Sequence, residues 1–142
     1  MFFALLSLSG KIEGKRLDVG TVLPEEAVMT RGDKDSITQV VYNLIDNAIK
    51  FSIPGGTIAL ELWQQGHRVF VSVTNHGETI PPEELPHIFN RFHKADKSRS
   101  ADRDGVGLGL YIVKKILDNH NEDIFVTNTA GITRFIFSLT VA

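Results

Sequence analysis

The sequence predicts an α+β fold: a two-layer α/β sandwich in which a mixed, mostly antiparallel sheet of about five strands is covered on one face by about three helices. Three observations lead there. Runs with the three-then-four spacing of a buried helix face, above all residues 37–49, are interspersed irregularly with short alternating runs of strand type. The strand runs come in pairs joined by turn residues, as hairpins do, and strict strand-helix alternation is missing. The length of 142 residues, with 42% hydrophobic and 23% charged, suits one ordinary core, so residues 1–142 read as a single domain. Helices gathered beside hairpins cover one face of a sheet.

In chain order, Met1 to Leu8 is apolar but too short to span a bilayer, and Gly10 to Lys15 turns polar at once. It reads as a first amphipathic helix through about residue 14, trimmed from a longer protein. Two extended stretches follow, Arg16 to Leu23 and Ala27 to Arg31, separated by Pro24-Glu25-Glu26. Asp33 or Asp35 can cap the long helix that ends at Ser52, where Pro54-Gly55-Gly56 stops it. Thr57 to Gln64 and Val69 to Asn75 form a hairpin through Gln65-Gly66-His67. Pro81-Pro82-Glu83-Glu84 opens a short helix carrying Leu85, Ile88, Phe89 and Phe92, with Pro82 suited to its first turn. Lys94 to Asp104 alternates charges without a large apolar residue, the pattern of a surface loop. A helix from Gly105 to Asn119 and closing strands at Ile124 to Asn128 and Ile132 to Val141 complete the chain.

The net charge of −2 gives no general electrostatic case for nucleic acid, so any basic site is local. Cysteine is absent, which removes disulfides, thiolate nucleophiles and cysteine zinc sites, and fits a reducing compartment.

The helix over residues 39–52 carries the main functional clue. Ile37, Val40, Val41, Leu44, Ile45, Ala48 and Ile49 account for its buried face. Gln39, Asn43, Asn47 and Lys50 fall on another arc, because residues three or four apart are helix neighbours. Asparagine loses up to about 0.7 kcal/mol against alanine in a helix, so two of them four apart ask for a reason. Amide oxygens beside an ammonium suit a hard cation and phosphates together; a solvated face is the alternative.

Gly105-Val106-Gly107-Leu108-Gly109-Leu110 lies at a second helix start. Such an end offers unpaired N–H groups and about half a positive charge, and glycine lets a phosphate approach the backbone. The spacing is G-x-G-x-G after a charged loop, which excludes a P-loop and does not fit the dinucleotide fingerprint. Lys94, Lys97, Arg99 and Arg103 precede it, and Arg91 stands between Phe89 and Phe92. These bases could close over a triphosphate, or simply be solvated.

Four stretches in order resemble the catalytic ATP-binding domain of bacterial sensor histidine kinases. They are Asn43-x-x-x-Asn47-Ala48-x-Lys50-Phe51, Gly77-x-x-Ile80-Pro81, Ile88-Phe89-x-Arg91-Phe92 and Gly105-x-Gly107-Leu108-Gly109-Leu110. They are similar to that family's N box, first glycine box, F box and second glycine box, and Gly131-x-Thr133-x-Phe135 resembles its closing strand. The resemblance implies the Bergerat fold, with Mg-ATP held between the long helix and a lid at about 90–106. It implies Asn43 and Asn47 at Mg²⁺ and the phosphates, Lys50 at a phosphate, and Phe51, Asn75, Gly77, Ile80 and Thr133 towards the ribose and base. Backbone from Gly105, Val106 and Gly107 through Leu108, Gly109 and Leu110 would cradle phosphate. Arg91 with Phe92, Lys94 and Arg99 would belong to the lid, Arg91 acting with Asn43 in transfer. ATPase relatives carry a water-activating glutamate at the position of Asn43, and an amide cannot act as a base, which favours a kinase over a hydrolase.

Family members phosphorylate a histidine followed by an acidic residue on a dimeric helical hairpin. His67, His76, His87, His93 and His120 are followed by Arg, Gly, Ile, Lys and Asn, so the acceptor hairpin is absent from this chain. The resemblance therefore implies a monomeric domain of a homodimeric, membrane-anchored kinase, working in the cytoplasm with its own phosphoacceptor domain and a response regulator. No nucleic acid or membrane contact by this domain is expected. An anti-sigma-factor-type serine kinase shares the boxes, and a regulatory nucleotide-binding or docking module is a further alternative. The family's Asp-x-Gly-x-Gly reads Asn75-His76-Gly77-Glu78-Thr79 here. Losing the carboxylate's charge removes about 1 kcal/mol from a bond to the adenine amino group, roughly a five- to tenfold loss of affinity. Asn121 replaces a glycine of the family's helix ending, and can take the left-handed conformation in its place.

Overall fold

The computed structural model describes residues 2–90 and 108–142. Five strands form one sheet in the order β1-β2-β3-β5-β4, comprising β1 (Asp18–Val22), β2 (Thr57–Gln65), β3 (Arg68–His76), β4 (Ile124–Thr129) and β5 (Ile132–Thr140). β1 runs parallel to β2 and every other pairing is antiparallel, so the sheet is mixed and mostly antiparallel. Four helices accompany it: α1 (Phe2–Ser7), α2 (Ser9–Gly14), α3 (Lys34–Phe51) and α4 (Gly109–Asn119).

Side chains alternate across the sheet. Val71 and Val73 on β3, Ile58 and Leu60 on β2, and Phe135 and Phe137 on β5 are buried on the helix side. They pack with Val40, Leu44, Ile45 and Ala48 of α3 and with Val113 and Leu117 of α4. Burying a side chain of this size stabilises the fold by about 1.5–3 kcal/mol before entropy is counted. The opposite face carries Trp63 stacked on Phe70 at 5.6 Å, with the Arg134 guanidinium over the Trp63 ring.

Both hairpins turn in two residues, and their backbones show why. Gly66 opens the β2–β3 turn at φ 64°, which glycine takes without strain. The β4–β5 turn uses Ala130 and Gly131 at φ 51° and 81°, so an alanine occupies a left-handed position. Asn121, after α4, is left-handed as well, at φ 56°.

Local termination differs from the sequence expectation in four places. The last helix, expected from Gly105, starts at Gly109 with Leu108 as its N-cap residue. The first helix breaks at Leu8, which is buried between α1 and α2. Ala27 to Arg31 forms no strand and contributes one bridge, Thr30 to Val141. Among the described residues the segment after Pro82 makes a 3-10 turn, Leu85–His87, with Pro86 in its first turn where no backbone N–H is needed.

The ends of α3 are tied by long-range contacts. Asp33 is the N-cap: its carboxylate accepts from the Ser36 backbone N–H at 2.9 Å and from the Ser36 hydroxyl at 2.7 Å. These bonds, and the nearby His120 ring, hold its pKa below the ordinary aspartate value against a smaller opposing effect of desolvation. The Asp33 N–H donates to His120 Nε2 at 3.1 Å, and His120 Nδ1 lies 2.7 Å from the Ile116 carbonyl. In a neutral ring this pair of contacts corresponds to the Nδ1–H tautomer. At the other end, Lys15 Nζ donates to the carbonyls of Ile49, Lys50 and Ser52 at 2.8, 2.8 and 3.1 Å. A helix leaves its last carbonyls without internal partners, and a cation placed there also opposes the helix dipole.

Candidate functional site

At one end of the helix-facing surface of the sheet the core gives way to a polar row. The register sets Ile58 beside Asn75, Asn75 beside Thr133, and Thr133 beside Asn128. Asn128 Nδ2 donates to Thr133 Oγ1 at 2.7 Å, and Asn128 Oδ1 accepts from the Ile80 N–H at 3.1 Å. Asn128 thereby anchors the segment after β3 to the far hairpin. Asn75 is only 3% exposed, and its Nδ2 has no hydrogen-bond partner among the described residues. A buried donor left unpaired costs about 1–3 kcal/mol, so this atom is a marked exception.

Gly77 lies beside Asn75 where the end of α3 meets the end of β3. A Cβ added there would fall on the Phe51 carbonyl and would stand 3.2 Å from Asn75 Nδ2. Two bonds close this junction, Ile53 N–H to the His76 carbonyl at 3.1 Å and Gly77 N–H to the Gly131 carbonyl at 2.8 Å. Gly131 is constrained too, since its φ is 81° and a Cβ would meet the Gly77 carbonyl oxygen at 2.7 Å. Phe51 is half-buried at this corner.

Further back along α3 stand Gln39, Asn43, Asn47 and Lys50. Asn43 Oδ1 accepts from Gln39 Nε2 at 2.6 Å, and Asn43 Nδ2 donates to the Gly109 carbonyl at 3.1 Å. The second bond joins the middle of α3 to the first turn of α4. Asn47 is half-buried, and Lys50 pairs with Asp46 at 3.3 Å, the carboxylate that Lys11 also reaches at 3.1 Å. Asn43 and Phe51 are separated by about 12 Å along the helix axis, so one helix borders both the α4 end and the Asn75 end of the region.

α4 starts without a side-chain cap: Leu108 is its N-cap residue and makes no capping hydrogen bond. Leu110 turns into the core as a half-buried residue, whereas a Cβ on Gly109 would meet nothing within 4 Å among the described residues. Packing against the described residues therefore does not demand a glycine at Gly109. The expected lid and phosphate-loop residues Arg91, Phe92, Lys94, Arg99, Gly105, Val106 and Gly107 lie outside the described residues.

Of the expected residues, the structure brings together Asn75, Gly77, Ile80, Phe51 and Thr133 at one end, and Asn43 with Gly109 at the other. The sequence reading missed Asn128. Its signal was the two-residue turn, which sets Asn128 opposite Thr133. Among the described residues no three His, Cys, Asp or Glu side chains come together as a metal cage. The Asn43 and Asn47 oxygens on α3 are amides, which suit a cation whose other ligands are phosphates and water, while the nearby Asp46 carboxylate pairs with Lys11 and Lys50.

The family described as histidine kinase-, DNA gyrase B- and HSP90-like ATPases matches residues 32–142. The chain belongs to this family. Within the family its likeness is to histidine kinases. It is 35% identical over 111 residues to the sensor histidine kinase WalK of Bacillus subtilis (strain 168), covering 77% of this chain and 18% of that protein. It is similar to the nucleotide-free catalytic domain of histidine kinase ThkA, with a TM-score of 0.84 at 30% identity over 97% of this chain and 88% of that one. A complex of ThkA with the response regulator protein TrrA is matched at a TM-score of 0.80 and 28% identity, over 98% of this chain and 38% of that one. The chain spans about a fifth of the length of the whole sensor proteins it matches. No helix among the described residues of this histidine-kinase-type ATPase domain is long and apolar enough to cross a membrane.

Proposed function

We propose that the chain binds Mg-ATP and donates its γ-phosphoryl group to a histidine on a separate phosphoacceptor domain of a two-component sensor kinase. The observation that carries this is the geometry of α3, which touches the start of α4 through Asn43 and Gly109 and ends at Gly77 beside Asn75, whose Nδ2 has no partner among the described residues. A base would lie by Asn75, Gly77, Ile80 and Thr133, and the phosphates would reach back towards Asn47, Asn43 and the Gly109 backbone. Lys50, half-buried next to Phe51 and paired with Asp46, adds a positive charge towards the base end of this path. The donor set fits a cation that arrives with the nucleotide: Asn43 and Asn47 offer neutral oxygens, and the triphosphate supplies the charged ones. When bound, that ion neutralises the phosphate charge.

In transfer, the bond from the γ-phosphorus to its bridging oxygen breaks, ADP leaves with the electron pair, and a bond forms to a ring nitrogen of the acceptor. The domain's own work is positioning and charge neutralisation. Asn43 cannot take a proton from water, so the site holds the nucleotide without activating a competing nucleophile. Arg91, Lys94 and Arg99 are proposed to cover the terminal phosphate, with Phe92 packing the lid over 90–106 and the backbone of 105–110 cradling phosphate. The acceptor hairpin would supply the dimer, and a response regulator would take the phosphoryl group next, as the ThkA–TrrA complex suggests for that kinase. The parent protein would be anchored in the membrane with this domain, residues 1–142, on the cytoplasmic side.

The test joins the chain to a phosphoacceptor hairpin and follows label from γ-labelled ATP. Acid-labile, base-stable label on the hairpin, lost in Asn43→Ala, is the expected result. Binding without label would favour a regulatory nucleotide module, and label stable to acid would favour a serine kinase; either would overturn the proposal.

A further inference from the structure

Resting on the reading that the site holds a purine nucleotide, we propose that Asn75 makes base recognition indifferent to the group at the purine 6-position. Nucleoside triphosphates with a 6-oxo base then bind about as well as those with a 6-amino base. Asn75 is a specificity determinant of an unusual kind, because it removes a discrimination.

The carrying observation is a side chain 3% exposed, at the end of the polar row, whose Nδ2 is unpaired among the described residues. Ile58 on one side has no polar side-chain atom, and Thr133 Oγ1 on the other already accepts from Asn128 Nδ2 at 2.7 Å. Gly77 brings only backbone up to the amide: the Phe51 carbonyl fills the place its Cβ would take, and that Cβ would stand 3.2 Å from Nδ2. This end of the sheet thus holds a buried donor in want of an acceptor.

A primary amide carries both an acceptor oxygen and donor hydrogens, and half a turn about its last bond exchanges their places at almost constant volume. Adenine presents an N–H at position 6 and a lone pair at N1. Hypoxanthine and guanine present the inverse, a carbonyl at position 6 and an N–H at N1. One amide orientation pairs with the first pattern and the flipped orientation pairs with the second. A carboxylate in the same place has only acceptors at neutral pH, and would set lone pair against lone pair at a 6-oxo group. Hypoxanthine is the cleaner probe, because guanine adds a 2-amino group that needs room of its own.

The experiment titrates the 142-residue chain by calorimetry with the magnesium salts of ATP, inosine triphosphate and purine riboside triphosphate, before and after Asn75→Asp. For the unaltered chain, inosine triphosphate should bind within about tenfold of ATP, and purine riboside triphosphate, which lacks a 6-substituent, more weakly than both. Asn75→Asp should lower inosine triphosphate affinity relative to ATP by about a hundredfold. The side-chain amide NMR signals of Asn75 should shift with either nucleotide. A preference for ATP above about a hundredfold in the unaltered chain, a ratio untouched by Asn75→Asp, or purine riboside triphosphate binding as well as ATP would each overturn the proposal while leaving nucleotide binding intact. If the folded chain binds none of the three, the nucleotide reading falls and this inference with it. Should the aspartate variant fail to fold, the unaltered chain's ratio and the NMR signals decide alone.

Discussion

Gly77→Ala tests the junction on which the base end of the site depends. The added Cβ would fall on the Phe51 carbonyl oxygen and stand 2.8 Å from its carbon, whereas carbon atoms pack at about 3.5–4 Å. The end of α3 must therefore withdraw from the end of β3 by about 1 Å. Overpacking of this kind costs about 1–3 kcal/mol. The withdrawal also strains the Ile53-to-His76 and Gly77-to-Gly131 hydrogen bonds, each contributing about 1 kcal/mol. The total, about 3–5 kcal/mol, is a large part of the stability of a small domain. With a urea slope near 2 kcal/mol/M, the unfolding midpoint should fall by about 2 M. Mg-ATP affinity should fall with it, since Asn75 Nδ2 is 3.2 Å from the same added atom. Urea unfolding followed by circular dichroism, with calorimetry on the folded variant, measures both. A midpoint and an affinity equal to those of the parent chain would refute the close-approach argument.

Four further outcomes follow from other parts of the fold. Gly109→Ala should leave urea stability equal or raise it by up to about 1 kcal/mol, since its Cβ meets nothing among the described residues, yet weaken Mg-ATP binding in calorimetry; unchanged binding would remove Gly109 from the site. Lys15→Met should lower stability by about 2 kcal/mol in the same denaturation assay, because three carbonyls ending α3 lose a charged donor. Ala130→Asn should raise stability by about 1 kcal/mol, because asparagine tolerates the left-handed turn position that alanine occupies under strain. For Asp33, the folded-state pKa is lowered, so its stabilisation is present above the unfolded value of about 3.9 and is lost as pH falls through the folded value. An asparagine in its place keeps an acceptor for Ser36 but carries no charge. The parent should thus melt higher than Asp33→Asn at neutral pH, with the gap closing in acid; a gap constant with pH would contradict the charge argument.

Much of this was legible in one sequence. The apolar spacing of 37–49 identified the buried face of α3, and each of Val40, Val41, Leu44, Ile45, Ala48 and Ile49 is buried. A cap at Asp33 or Asp35, of which the structure uses Asp33, and the two hairpins followed from local turn and capping chemistry. These features depend on neighbours along the chain, and so a sequence can display them. Where expectation and structure parted, a distant contact decided: Ala27 to Arg31 contributes one bridge, to Val141, in place of a strand.

For the site, the sequence by itself determined the inventory of amides, glycines and bases, their order, and the absence of a proton acceptor at Asn43. Only the tertiary structure decided that Gly77 must be glycine because α3 ends on it. Only there does Asn128, drawn in by strand register, hold Ile80 and Thr133 together. And only there does Asn75 become a buried amide with an unpaired nitrogen. The physical reason is that a side chain's chemistry is written in its identity, while its partners, and the cost of lacking one, are set by groups remote in sequence that folding brings within hydrogen-bond distance.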